Sequence, residues 1–163
     1  MKTPNFKIPD VFLFCFLFLS LSWCIGAQAQ TQSHERFIQC LRSRNTDNSI
    51  FQVIYTPKNT SYNSILVSNI LNQRFVSPAE RKPFLIVTPQ SYAHVQSVVS
   101  CARIHKLQIR TRCGGHDYEG LSYISYYLDP FVIVDLRNFK SISVDTEART
   151  AWVEGGVRLG ELY

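Results

Sequence analysis

The sequence predicts an α+β fold whose centre is a strand–helix–strand (βαβ) unit followed by further strands. Three observations carry that reading. Residues 84–88 form a short apolar run, 89–106 repeat apolar residues at helical spacing, and 108–113 alternate with the two-residue period of a strand. Three more strand-like runs follow at 131–135, 141–145 and 149–154, the last two paired as a hairpin about Thr146, Glu147 and Ala148.

Taken in order, residues 1–29 read as a signal peptide. Lys2 and Lys7 form a weakly basic start, residues 11–25 are apolar, and Ala27-Gln28-Ala29 supplies a small-x-small cleavage site. The apolar run falls short of the ~20 residues that span a bilayer. The expectation is a secreted chain beginning near Gln30 with no stable membrane anchor, in the extracellular space, the cell wall or the vacuole. Residues 30–79 read as a helical and connector region, and 80–163 as the main domain. Formal net charge is +5, but Lys and Arg are scattered, so a solvated surface is expected and no nucleic-acid partner.

Phe37, Ile38 and Leu41 form a short helical stripe behind a Ser33 cap, with Cys40 among them. Asn59-Thr60-Ser61 is an N-glycosylation sequon in a turn-like stretch. Ile65, Leu66, Ile70 and Leu71 place a helix over 61–71 as core patterning. Thr88 and Pro89 are suited to cap and begin the helix that follows. On that helix Val95, Val98, Val99 and Ala102 share a face, and Cys101 lies within it. Residues 157–163 start a last helix, with Leu159 and Leu162 on its apolar side.

The loop beyond 108–113 is where chemistry is sought. In a βαβ unit it lies at the carboxyl edge of the sheet, where ligands commonly bind. Gly114 and Gly115 permit positive φ and close approach of the main chain, and successive N–H groups there can cradle an anion. His116 follows at once. On composition alone Gly-Gly-His between strands is most often an ordinary turn. Cys113 and His116 have metal-ligand spacing, but no second matching pair exists, so no metal is expected. No G-x-G-x-x-G occurs. A secreted carbohydrate-binding module would cluster its aromatics, whereas these are spread along the chain.

Arg112-Cys-Gly-Gly-His-Asp-Tyr-Glu-Gly-Leu-Ser-Tyr123 resembles the flavin-attachment loop of the plant berberine bridge enzyme-like oxidases. These are FAD-linked oxidases with a vanillyl-alcohol-oxidase-type (PCMH-type) FAD domain. The resemblance continues through Lys82-Pro-Phe-Leu-Ile-Val-Thr-Pro89 and Trp152-Val-Glu-Gly-Gly-Val-Arg-Leu-Gly-Glu-Leu-Tyr163. It implies the N-terminal part of such a domain, truncated at its C-terminal end. It also implies main-chain contacts to the FAD phosphates from Arg112, Cys113, Gly114, Gly115, His116 and Asp117, and covalent flavin attachment at His116. Arg110 or Arg112 would add positive charge there, or face solvent.

The family commonly has serine where Cys113 stands. It pairs an early cysteine with one on the long helix, which implies a Cys40–Cys101 disulfide and leaves Cys113 over. That last thiol reads as a small core residue. The implied activity is oxidation of an alcohol, carbohydrate or alkaloid-type small molecule by hydride transfer to covalently bound FAD, reoxidised by oxygen or another acceptor. The alternative is an inactive gene product that keeps only the phosphate-binding half of the domain. The family's second attachment cysteine and its catalytic base have no counterpart here, so no residue is nominated as base.

Overall fold

The computed structural model describes residues 34–45, 48–77, 81–126 and 130–163. The signal peptide and the Ser33 cap lie outside the described residues. The chain divides into two compact units, Met1–Arg36 and Phe37–Tyr163. Of the first, residues 34–36 are described, as the opening turn of a helix.

The elements are α1 (34–44), β1 (Ile54–Tyr55), α2 (Tyr62–Ser68), β2 (Leu85–Val87), α3 (Tyr92–Ile104) and β3 (Gln108–Arg112). They continue as β4 (Phe131–Asp135), β5 (Ile142–Asp145), β6 (Thr150–Val153) and α4 (Leu159–Leu162), with 3₁₀ turns at Ser49–Val53 and Gln73–Val76. Strands β1-β2-β4-β3 form one sheet in that order, and β5-β6 form a separate hairpin. β4 pairs in parallel with both β2 and β3, and β1 runs antiparallel to β2.

The central position of β4 follows from its composition. Phe131-Val-Ile-Val-Asp135 is buried at every residue, which only a strand with neighbours on both edges and layers on both faces can achieve. Successive side chains feed two cores. Leu85, Val87, Val132 and Val134 meet Phe37, Leu41, Val98 and Ala102 on one face. Ile86, Phe131 and Ile133 meet Tyr62, Leu66, Phe75 and Tyr123 on the other. Each fully buried aliphatic contributes about 1.5–3 kcal/mol relative to exposure. The phenol of Tyr62, in the second core, donates to the carbonyl of Pro83.

Several expected boundaries shift, for physical reasons. α3 is capped by Ser91, whose Oγ accepts from the N–H of His94 at 3.3 Å, and not by Thr88. Thr88 is held to the sheet instead: its N–H donates to Val53 O at 2.9 Å, and Asn138 Nδ2 takes its carbonyl at 2.9 Å. The buried face of α3 is His94, Ser97, Val98, Cys101 and Ala102, and Val99 is exposed. Two anchors set that rotation, the Cys40–Cys101 disulfide and a 2.7 Å hydrogen bond between Ser49 Oγ and His94 Nε2. α2 stops at Ser68, three residues before the expected end, because Asn69 leaves helical geometry. The short β1 and both 3₁₀ turns carry too few residues to show a period.

The hairpin register is Ile142↔Val153 through Asp145↔Thr150. Asp145 Oδ1 organises its turn by accepting from the N–H groups of Glu147 and Ala148 at 3.0 and 2.9 Å. The left-handed Arg149 (φ 53°) completes it.

The disulfide closes a sequence separation of 61 residues. On the chain-entropy account its loss costs about 4 kcal/mol. The double variant Cys40→Ala/Cys101→Ala is therefore expected to shift the urea unfolding midpoint sharply downward. A shift equivalent to less than about 1 kcal/mol would show that the reduced chain is already constrained by its packing.

Candidate functional site

The loop after β3 is positioned by a buried charge cluster. Strand alternation turns Arg112 into the protein, where its side chain has no exposure. Its Nε and Nη2 converge on the single oxygen Asp135 Oδ2 at 2.9 and 2.6 Å, charge-assisted hydrogen bonds of the stronger kind. Its Nη1 and Nη2 also donate to the carbonyls of Leu66 and Ile65 at 2.6 and 2.9 Å. Those carbonyls belong to the last turns of α2, where a cation is favourable. Arg137 Nη2 reaches the same Asp135 oxygen at 2.7 Å. Burial lowers the Arg112 pKa from its ordinary value, and Asp135 opposes that shift. The guanidinium of Arg112 is thus committed to tying β3, β4 and α2 together. Arg110, half-buried, donates to Gln108 Oε1 at 3.3 Å.

The second support is Asn69, which the sequence reading passed over. It is buried where α2 ends, and its Nδ2 donates to the carbonyl of Cys113 at 3.2 Å. Its Oδ1 accepts from Arg158 Nη2 at 2.6 Å. Its own carbonyl lies so close to Gly115 that a Cβ built there would sit 1.7 Å from the oxygen. Gly115 also has φ +73°, whereas Gly114 has ordinary backbone and room for a Cβ. The pair therefore divides its work: Gly115 lets the turn press on α2, and Gly114 stays open on the outer side.

Asp117 holds the rest of the loop. Its carboxylate accepts from the N–H groups of Glu119 and Ser122 at 2.9 and 2.8 Å, and its carbonyl from Tyr123 OH at 2.8 Å. Tyr123 is buried against Phe75, while Tyr118 is exposed and stacks edge-on with the exposed ring of His116. Cys113 is exposed, which corrects the expectation of a core thiol. β3 ends at Arg112, so Cys113 has left the sheet and faces a recess toward Gly155. Partial burial and the Asp135 charge raise its pKa, which keeps it a thiol near neutral pH.

Two openings flank the turn. One, about 390 Å³, is lined by Leu71, Gly114, His116, Val157, Arg158 and Leu159. The other, about 260 Å³, is polar and includes Cys113, Arg137, Lys140 and Arg158. A larger apolar groove of about 460 Å³ beside Tyr92 and Trp152 holds neither the histidine nor the glycine turn, and the chemistry is not sought there. Among the described residues the main-chain N–H groups of Gly114, Gly115 and His116 find no acceptor. Unpaired donors, a side-chain-free approach at Gly114 and adjacent cations suit a phosphate-bearing cofactor.

The parallel strands β2-β4-β3 with such a turn at their carboxyl edge suit a nucleotide-cofactor-binding domain. Residues 83–163 match the family described as FAD binding domain. Berberine bridge enzyme-like 18 of Arabidopsis thaliana is 50% identical over 148 residues, covering 90% of this chain and 27% of that protein. Tetrahydroberberine oxidase of Berberis wilsoniae is 50% identical over 131 residues, covering 80% and 24%. The crystal structure of Phl p 4, a grass pollen allergen with glucose dehydrogenase activity, superposes with a TM-score of 0.72 at 44% identity, covering 78% of this chain and 25% of that one. The chain belongs to the berberine bridge enzyme-like family of FAD-linked oxidoreductases, and its fold is that of their PCMH-type FAD-binding domain. It spans about a quarter of the length of the relatives it matches.

Gly115→Ala is expected to cost well over 2 kcal/mol, since a left-handed alanine alone costs about 1–2 kcal/mol and the contact with Asn69 adds to it. Gly114→Ala is expected to leave the unfolding midpoint within about 0.5 kcal/mol of the parent. Equal effects in the two variants would refute the division of roles.

Proposed function

We propose that this chain supplies the phosphate-binding and flavin-attachment part of a secreted FAD-dependent oxidoreductase. The observation that carries the reading is the Cys113–Asp117 turn. It stands at the carboxyl edge of a parallel sheet with unpaired N–H groups, and the exposed His116 imidazole borders the adjoining opening. When bound, FAD supplies the two-electron acceptor chemistry of the reaction. The protein's own part is position. Arg112, Cys113, Gly114, Gly115, His116 and Asp117 offer main chain to the phosphates, and the His116 ring is the covalent anchor. Asp117 and Asn69 hold the turn from either side, so the anchor is presented on a rigid loop.

The proposed activity is oxidation of an alcohol, carbohydrate or alkaloid-type substrate by hydride transfer, in a protein of the relatives' full length. The named relatives support that range, one being a tetrahydroberberine oxidase and one having glucose dehydrogenase activity. A second reading, an inactive gene product that keeps only the phosphate-binding half of the domain, is supported by the hairpin, where Trp152 is 86% and Val144 65% exposed among the described residues. Secretion is supported by the Cys40–Cys101 disulfide, which suits an oxidising compartment. Asn59 is proposed as a glycan acceptor. It is exposed, and its Oδ1 is occupied by Thr56 N–H and Oγ1 at 2.7 and 2.9 Å. Among the described residues no helix is long and apolar enough to cross a membrane.

In a protein of the relatives' full length carrying this sequence, a tryptic digest is expected to yield one flavin-bearing peptide that contains His116. His116→Ala should abolish that linkage. An unchanged flavin peptide in the variant would withdraw the assignment.

A further inference from the structure

Resting on the FAD reading above, we propose that Arg158, with Lys140 and Arg137 beside it, is the charged ligand of the cofactor's pyrophosphate. Of the two arginines on β3, Arg110 donates to Gln108 Oε1 and Arg112 is buried against Asp135. Arg158 stands instead across the open side of the turn. Its Cγ lies 3.8 Å from where a Cβ on Gly114 would be, and it lines both openings that flank the glycines. Its Nη2 is held by Asn69 Oδ1 at 2.6 Å, the same residue that grips the Cys113 carbonyl. The guanidinium and the unpaired N–H groups are therefore positioned by one side chain.

Charge balance points the same way. Around the polar opening the cations are Arg112, Arg137, Lys140 and Arg158, and the carboxylates are Asp135, bound to Arg112 and Arg137, and Glu161, bound to Lys140. Of these, Arg137, Lys140 and Arg158 line the opening itself, and no carboxylate is among its lining residues. Glu154 is turned to the hairpin, where its carboxylate accepts from Tyr92 OH and the Ser141 N–H. The Arg137 Nε is buried without a partner beside this opening. A guanidinium suits the task, since its planar fork matches two phosphate oxygens.

The test measures binding of FAD, ADP, inorganic pyrophosphate and riboflavin to the full chain by equilibrium dialysis. Arg158→Met, Arg158→Lys and Lys140→Gln are compared with the parent. Arg158→Met is expected to weaken FAD and ADP about tenfold, as loss of a charged hydrogen bond does, and to leave riboflavin unchanged. Arg158→Lys should recover most of the affinity. Lys140→Gln, altering a half-exposed head, should weaken FAD and ADP about threefold. Alkylation of Cys113, which lines the same opening, should be slowed by FAD and ADP but not by riboflavin.

If Arg158→Met and Lys140→Gln both bind FAD as the parent does, the assignment falls while the FAD reading stands. If Arg158→Lys fails as badly as Arg158→Met, Arg158 acts through Asn69 and not through its charge, and the assignment also falls. Inorganic pyrophosphate displacing nothing while ADP binds would move the contact to the adenosine end. A parent chain that holds FAD no better than riboflavin would overturn both readings.

Discussion

The ionic cluster of Arg112, Asp135 and Arg137 is the constraint on which the rest of this domain depends. It lies where the last residue of β3 faces the last residue of β4, and where both meet the carbonyl end of α2. Buried ion pairs of this kind offer little net stability, because desolvation offsets most of the attraction. What this one does is fix geometry. A carboxylate shared by two guanidiniums accepts the strand ends in one register only. The carbonyls of Ile65 and Leu66 satisfy the remaining donors of Arg112 only if α2 sits directly over the sheet edge. With the edge held, the glycine turn emerges at a defined place and angle.

From that anchor the site is assembled by short-range fits. Asn69 leaves α2 just past the cluster and bonds the carbonyl of Cys113 while its own carbonyl presses on Gly115. The same amide holds Arg158 from the far end of the domain, so three segments distant in sequence meet on one residue. Asp117 closes the loop on its other side. The result is a turn packed against protein on the Gly115 side, whose main-chain donors at Gly114, Gly115 and His116 find no acceptor among the described residues. This is the arrangement expected of a preorganised anion cradle, in which the cost of ordering the loop is met on folding and not on binding.

Membership of the berberine bridge enzyme-like family gives this turn its context without exhausting it. Those relatives include a protein named tetrahydroberberine oxidase and a grass pollen allergen with glucose dehydrogenase activity. The exposed thiol at position 113 is particular to how the strand ends here. With its pKa raised it is a poor nucleophile, and its interest lies in reporting on the opening it faces.

Much of this domain was legible in the residue order, and the reasons are local. β4 announced itself by the four consecutive apolar residues Phe131 to Val134, α3 by its period, the hairpin by alternation, and the loop by Gly114-Gly115-His116. These signals depend only on neighbours a few positions away, which is what a linear pattern can encode. Arg112 read from the strand as a charge for the phosphates or for solvent, because nothing local says that Asp135 and two helix carbonyls await it. Asn69 read as ordinary helix, Thr88 as a cap, and Cys113 as core, since each is decided by partners tens of residues distant. The residue order by itself determined the elements, the disulfide expectation drawn from family resemblance and the place of the cofactor turn. Tertiary structure alone decided which cations are consumed inside the fold and which remain for a ligand, because a charge is committed only when long-range packing removes it from water and supplies its counter-charge.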